Sequence, residues 1–363
     1  MQKMSERVKV TKSKEEEKGI VFGALRKGNA VKVIIFYFFL FVWTLIQAGG
    51  CSDLLEGGYG HPGELTGKEL KLKATEVVCE ALSDEDPRVR TNAVEVVAAT
   101  GQIRLMPKVE NLLRDEFVPV RFAAALAVGT LEYSFAADSI EQLLEDPDEN
   151  VRIAAAYAKG RLGSESNLDL FRKAITSEDQ TVRANAALLL GKSRDRAGLK
   201  FLYWALQHKD SDDKVRFQAA EAIAMLGDER IYPKLWTMLI STYADDRVMG
   251  VMAMGALGTE QAKNAMITML DDDILEVRLA AAEQLGKLGD TSGEPEVLDV
   301  FRENLASGTD KEGRERVLRL AALAIGQIGT AEVKKWLPEL LEDESKFVRI
   351  AAAKAVFQVT MKP

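Results

Sequence analysis

Two cysteines and two histidines in 363 residues leave little from which to build a redox or metal site. Cys51 and Cys79 are too few for a disulfide framework or a thiolate cluster, and Cys79, inside Glu76-Val-Val-Cys-Glu-Ala-Leu82, reads as a small core residue. His61 sits beside Pro62 among glycines and reads as solvated. No stretch alternates apolar and polar residues, which excludes a β architecture, and an aromatic share of 7% suits packing by alanine and leucine. Glycine-rich phosphate loops, zincin motifs and nucleophile elbows are all missing. The acidic clusters at Asp271-Asp-Asp273 and Glu342-Asp-Glu344 fall where helix ends are expected, so they read as caps. With no catalytic residue, metal ligand or cofactor site to name, the expectation is a chain that is not an enzyme. Basic charge is scarce too: residues Met1–Lys32 hold +5 of a total of −8, leaving −13 on the rest. That balance excludes nucleic acid held through its phosphates and points to protein partners.

What is present is one phrase written nine times. In register it reads Val89-Arg90, Val120-Arg121, Val151-Arg152, Val182-Arg183, Val215-Arg216, Asp246-Arg247, Val277-Arg278, Val317-Leu318 and Val348-Arg349. Three residues after the arginine slot stand Ala93, Ala124, Ala155, Ala186, Ala219, Gly250, Ala281, Ala321 and Ala352, one helical turn along the same face. Eight after it come glycines such as Gly129, Gly160 and Gly286, which allow close helix approach; eleven after it come Gly101, Gly163 and others, which end the helix. Four before it, Asp86, Asp148, Asp179, Asp212 and Ser345 mark the start as N-caps. A second amphipathic stretch, such as Ala136 to Glu145, separates successive phrases, so each unit is a helix pair. The steps are 31, 31, 31, 33, 31, 31, 40 and 31 residues, and a fixed period of this size means stacked units that bury their faces on one another. The expected fold is all-α, a solenoid of about nine antiparallel helix pairs forming a superhelix over residues 65–363.

One column varies while the frame stays constant. Five residues after the slot come Glu95, Leu126, Tyr157, Leu188, Glu221, Met252, Glu283, Leu323 and Lys354, a mixture typical of a half-exposed face. Leu126, Tyr157 and Leu188 follow one another in successive repeats, with Arg161 and Lys192 one turn on, and seven of the eleven methionines, Met252 among them, lie between Met225 and Met269. Leu126, Tyr157, Arg161, Leu188, Lys192 and Met252 are therefore the candidate partner-binding residues.

Asp148-x-x-Val151-Arg152-x-x-Ala155-Ala156 with Gly160 and Gly163 resembles the short HEAT-like repeat of phycobilisome-lyase type. The resemblance implies that the Val-Arg helix lies on the concave side. It also implies that the ladder Arg90, Arg121, Arg152, Arg183, Arg216, Arg247, Arg278 and Arg349 bonds aspartates of neighbouring repeats. It implies an alternative function as well, a bilin lyase or chaperone-like enzyme. A relative such as deoxyhypusine hydroxylase holds two irons with His-Glu pairs, and this chain has none.

Before the repeats, a basic leader is followed by fourteen uncharged residues, Val33–Ile46, and then by Gln47-Ala48-Gly49-Gly50-Cys51, so residues 1–50 resemble a bacterial lipoprotein signal peptide with Cys51 as the lipidated residue. The other reading is an uncleaved N-terminal anchor. Either way the positive-inside bias sets the repeats outside the cytoplasm. Residues 51–67 form a glycine-rich tether. The function these features imply together is a membrane-tethered scaffold for an unidentified protein partner in the bacterial cell envelope.

Overall fold

The computed structural model describes residues 66–163 and 168–361, which belong to one compact unit and form helices and turns. In order these are α1 (Gly67–Ala81), α2 (Pro87–Ala99), α3 (Met106–Asn111), α4 (Val118–Leu131), α5 (Ala137–Leu143) and α6 (Glu149–Arg161). Then come α7 (Leu168–Ala174), α8 (Gln180–Lys192), α9 (Leu199–Gln207), α10 (Asp213–Met225), α11 (Tyr232–Leu239), α12 (Ala244–Leu257) and α13 (Glu260–Thr268). The last are α14 (Leu275–Lys287), α15 (Glu294–Arg302), α16 (Lys311–Ile328), α17 (Ala331–Lys334), α18 (Leu337–Leu340) and α19 (Lys346–Met361). Helices α2, α4, α6, α8, α10, α12, α14, α16 and α19 carry the repeated phrase and pack one on the next as an inner layer. The others lie outside them. Cys51, the leader and most of the tether fall outside the described residues.

Local chemistry starts and stops each helix where the spacing predicts. Asp86, Asp148, Asp179 and Asp212 accept from backbone amides at 2.7–2.9 Å. The glycines eleven residues after the slot adopt φ between +63° and +100°. The two repeats without glycine there force Glu132 and Arg194 into the same left-handed conformation, at φ 50° and 61°. The small column is fully buried from Ala93 to Ala352, and the Val residues beside the arginines line the core between the layers.

Glycines eight after the slot stand where neighbouring helices touch. A Cβ on Gly129 would lie 2.8 Å from the Ala158 Cα, and one on Gly286 would lie 2.8 Å from the Ile328 nitrogen. Gly160 departs from this column, because a Cβ there meets open space. Helices α6 and α8 are joined near their N-terminal ends, where Asn185 donates to Asn150 at 2.8 Å, and they splay toward Gly160.

The array closes on itself. Helix α19 packs against α16 on one side and against α1 and α2 on the other. Lys346 donates to Asp84 at 2.6 Å, Lys73 pairs with Glu342, and the Phe347 ring lies 5.3 Å from the guanidinium carbons of both Arg88 and Arg319. The inner helices thus form a nine-membered ring around a bore.

Candidate functional site

The arginine ladder builds the wall. Arg90 forks onto Asp115 at 2.8 and 2.9 Å while its Nη1 donates to the Asp84 and Glu85 carbonyls, and Arg121 treats Asp146 in the same way. Arg247 forks onto Asp272 at 2.7 Å and reaches Asp273 as well, and Arg278 bonds Glu296 at 2.6 Å. Bonding to a neighbouring repeat's carboxylate stops at Arg152 and Arg183. The position that would accept from Arg152 is Ser177, so Arg152 holds only the Asp146 and Pro147 carbonyls. Arg183 donates to the Ser177 carbonyl and lies 5.8 Å from the Trp204 ring centre. Arg216 pairs loosely with Asp213 of its own helix, and Arg349 caps the Asp343 carbonyl at 2.6 Å. In the long repeat the slot residue Leu318 is apolar, and Arg314, one turn earlier, reaches Asp343 at 2.7 Å instead. The signal for these acceptors is in the sequence: Asp84, Asp115, Asp146 and Asp272 all stand six residues before a ladder arginine and also cap the next backbone turn.

The variable column faces the bore. Leu126, Leu188 and Met252 are half-buried, and the Met252 sulfur lies 3.3 Å from Gln284 Nε2. Tyr157 is only 5% exposed; its ring rests on Gly129 and its hydroxyl bonds Thr130. Arg161 is paired with Glu132 at one end of that arc. The remaining candidate, Lys192, belongs to an electrostatic group that the sequence does not bring together. Its ammonium feels Glu221 on α10, Glu95 on α2, Lys287 on α14 and Lys354 on α19. Those helices are not all neighbours of α8 in the ring, so the charges meet across the bore. Arg319, 3% exposed, completes the set from α16, beside Glu315 and Phe347.

Enclosure shifts these groups together. Glu95 keeps an exposed surface yet is surrounded by protein on all sides. Desolvation pushes it up to about 7 against the pull of Lys354, Lys192 and Arg319. Glu221 and Glu283 are raised by the same cause, and Lys192 is lowered by it. The Gln218 amide is fully buried beside them; its Nε2 donates to Glu221 at 2.9 Å and its Oε1 has no hydrogen-bond partner. The bore therefore offers an apolar arc, Leu126 to Leu188, facing a cluster of ammonium and carboxyl groups. Among the described residues no three His, Cys, Asp or Glu side chains gather as a metal site, and no helix is long and apolar enough to cross a membrane.

Helix pairs on a 31-residue period, with a small-residue seam and an arginine ladder, define a helical-repeat protein, and the chain belongs to the HEAT-repeat family, whose repeats match residues 106–179, 168–251 and 241–319. Phycocyanobilin lyase subunit alpha from Nostoc sp. is 29% identical over 114 residues, which are 31% of this chain and 41% of that protein. The chain thus spans less than half the length of this relative. Among solved structures, human deoxyhypusine hydroxylase in complex with glycerol is 17% identical with a TM-score of 0.36, covering 73% of this chain and 99% of that one. The CpcE and CpcF complex of phycocyanin lyase from Nostoc sp. is 18% identical with a TM-score of 0.30, covering 83% and 98%. The sequence match to a lyase subunit overturns the expectation of a chain that is not an enzyme. Local motifs are a poor guide in such a frame, because inward groups arrive one per repeat from widely spaced parts of the chain.

Proposed function

We propose that this chain is a lyase of the phycocyanobilin-lyase kind and that the bore of the ring holds the tetrapyrrole. The observation that carries this reading is the arc Leu126, Tyr157 and Leu188 opposite the polar group around Lys192, since a flat conjugated ligand needs an apolar wall and polar anchors in one chamber. The similarity to a lyase subunit supports it. In an absorbance titration of the full chain, phycocyanobilin should bind one per chain, with its long-wavelength band sharpened. Tyr157→Ala should weaken binding by roughly 2 kcal/mol. An unchanged spectrum at saturating protein would overturn the reading.

A second reading is favoured by the Val33–Ile46 run before Cys51: a HEAT-repeat scaffold tethered to a membrane of the bacterial envelope, capturing a protein partner on the same inward column. An exported chain is out of reach of a cytoplasmic tetrapyrrole, so the two readings exclude one another. Metabolic labelling with a fatty-acid analogue should mark the wild type and spare Cys51→Ser; full-length unlabelled protein would establish an uncleaved anchor instead.

A further inference from the structure

The charge of the bore runs against the charge of the molecule. At the inward positions one, two, five and nine residues after the slot, the nine inner helices present five cations and three carboxylates, a net of +2, in a chain whose net charge is −8. Two of the cations are already engaged, Arg161 by Glu132 and Arg319 by Glu315 and the Phe347 ring. The remaining three, Lys192, Lys287 and Lys354, come from separate parts of the ring, and both other ammoniums lower the Lys192 pKa by repulsion. Positive groups that repel one another across an enclosed space form a focused field for an anion. A second observation points to a ligand independently. Gln218 is fully buried, and its Oε1 is unpartnered although its Nε2 is bonded, which is a vacant acceptor for an N–H or O–H group.

We propose that the bore seats a carboxylate-bearing ligand between Lys192, Lys287 and Lys354, and that a proton from solvent enters the chamber with it and settles on Glu95. This rests on the bore being a ligand chamber, and it adds which chemical group is recognised and what accompanies it. The charges acting on Glu95 are those of Lys354 from α19, Lys192 from α8 and Arg319 from α16; α4, the other neighbour of α2, presents Leu126 and Thr130 there and no titratable group. An incoming carboxylate takes over the ammoniums that hold Glu95 ionised. Glu95 stands at about 7 without a ligand, so losing those partners raises it further and it takes up a proton near neutral pH. By linkage, affinity must then fall as pH rises.

Phycocyanobilin, which carries two propionates, and its uncharged dimethyl ester test this on the full chain at pH 6 and pH 8. The free acid should bind at least about fivefold more tightly at pH 6 than at pH 8, with protons taken up in proportion, and the ester should bind weakly at both. Lys192→Gln and Lys354→Gln should each weaken the acid. Glu95→Gln should keep binding and abolish its pH dependence, an outcome that misfolding cannot imitate. Equal binding of acid and ester would overturn the inference and leave the lyase reading standing. If neither pigment binds, the lyase reading falls, and pimelate decides the inference alone: protection of the wild type against heat that is stronger at pH 6 than at pH 8, and lost in Lys192→Gln, sustains it, and no protection overturns it.

Discussion

The arginines of the ladder look equivalent in the sequence and are not equivalent in the fold. In the Arg90 and Asp115 pair the side chains are 10% and 8% exposed, and the pairs at Asp146 and Asp272 are similarly covered. Arg152 and Arg183 hold only backbone carbonyls. Asp115→Ala strands a buried guanidinium and removes the cap on the Phe117 amide, so it should cost about 3–5 kcal/mol, read as a lower urea midpoint at constant slope. Arg152→Ala should cost about 1 kcal/mol. The arginine column was legible because it recurs; its partners were not, because one serine at position 177 decides two repeats. Arg194 gives a second test at this scale. Its left-handed conformation costs an L-residue about 1–2 kcal/mol, part of which returns as unfolded-chain entropy with glycine, so Arg194→Gly should stabilise by about 0.5–1 kcal/mol in thermal unfolding.

Among the helices, the glycine seam separates two kinds of contact that the spacing presents as one. A methyl on Gly286 would meet backbone atoms of Gln327 and Ile328 at 2.8–2.9 Å, which cannot turn aside, so Gly286→Ala should cost at least about 2–3 kcal/mol. Gly160→Ala meets nothing and gains helix propensity, so it should stabilise by about 0.5–1 kcal/mol. Urea midpoints of the two variants should move in opposite directions. Equal destabilisation would show that α6 and α8 close tightly against one another in solution. The sequence reading placed both glycines in a single column because it registers chain position, whereas the splay between two helices is set by the packing of everything behind them.

For the whole molecule, closure is the decisive event. An open array frays from its ends, but a ring has none, so the wild type should unfold in one cooperative transition. The variant Lys346→Glu with Phe347→Ala, which breaks the contacts to Asp84, Arg88 and Arg319, should unfold over a broader range with a smaller denaturant slope. Closure also creates the pH behaviour of Glu95. Its pKa rises from 4.5 to about 7 on folding, so the folded state binds the extra proton between those values. Stability therefore falls as pH rises from about 4.5 and the loss is complete above about 7. Glu95→Gln should stabilise the protein at pH 8 and do little at pH 4.5, as measured by thermal unfolding at both.

The sequence by itself determined the helix pairs, their caps, the buried small-residue column and the arginine slot, because each depends on contacts within one repeat or between adjacent repeats and so returns every 31 residues. It also marked Leu126, Tyr157, Leu188 and Lys192 as one inward column. Only the tertiary structure decided what that column faces. The small rotation between successive repeats accumulates over the entire array, and no single repeat encodes whether the sum brings α19 back to α1. Because it does, Glu95 meets Lys192 and Lys354 across a bore, and charges that would be solvated on an open superhelix become one coupled group.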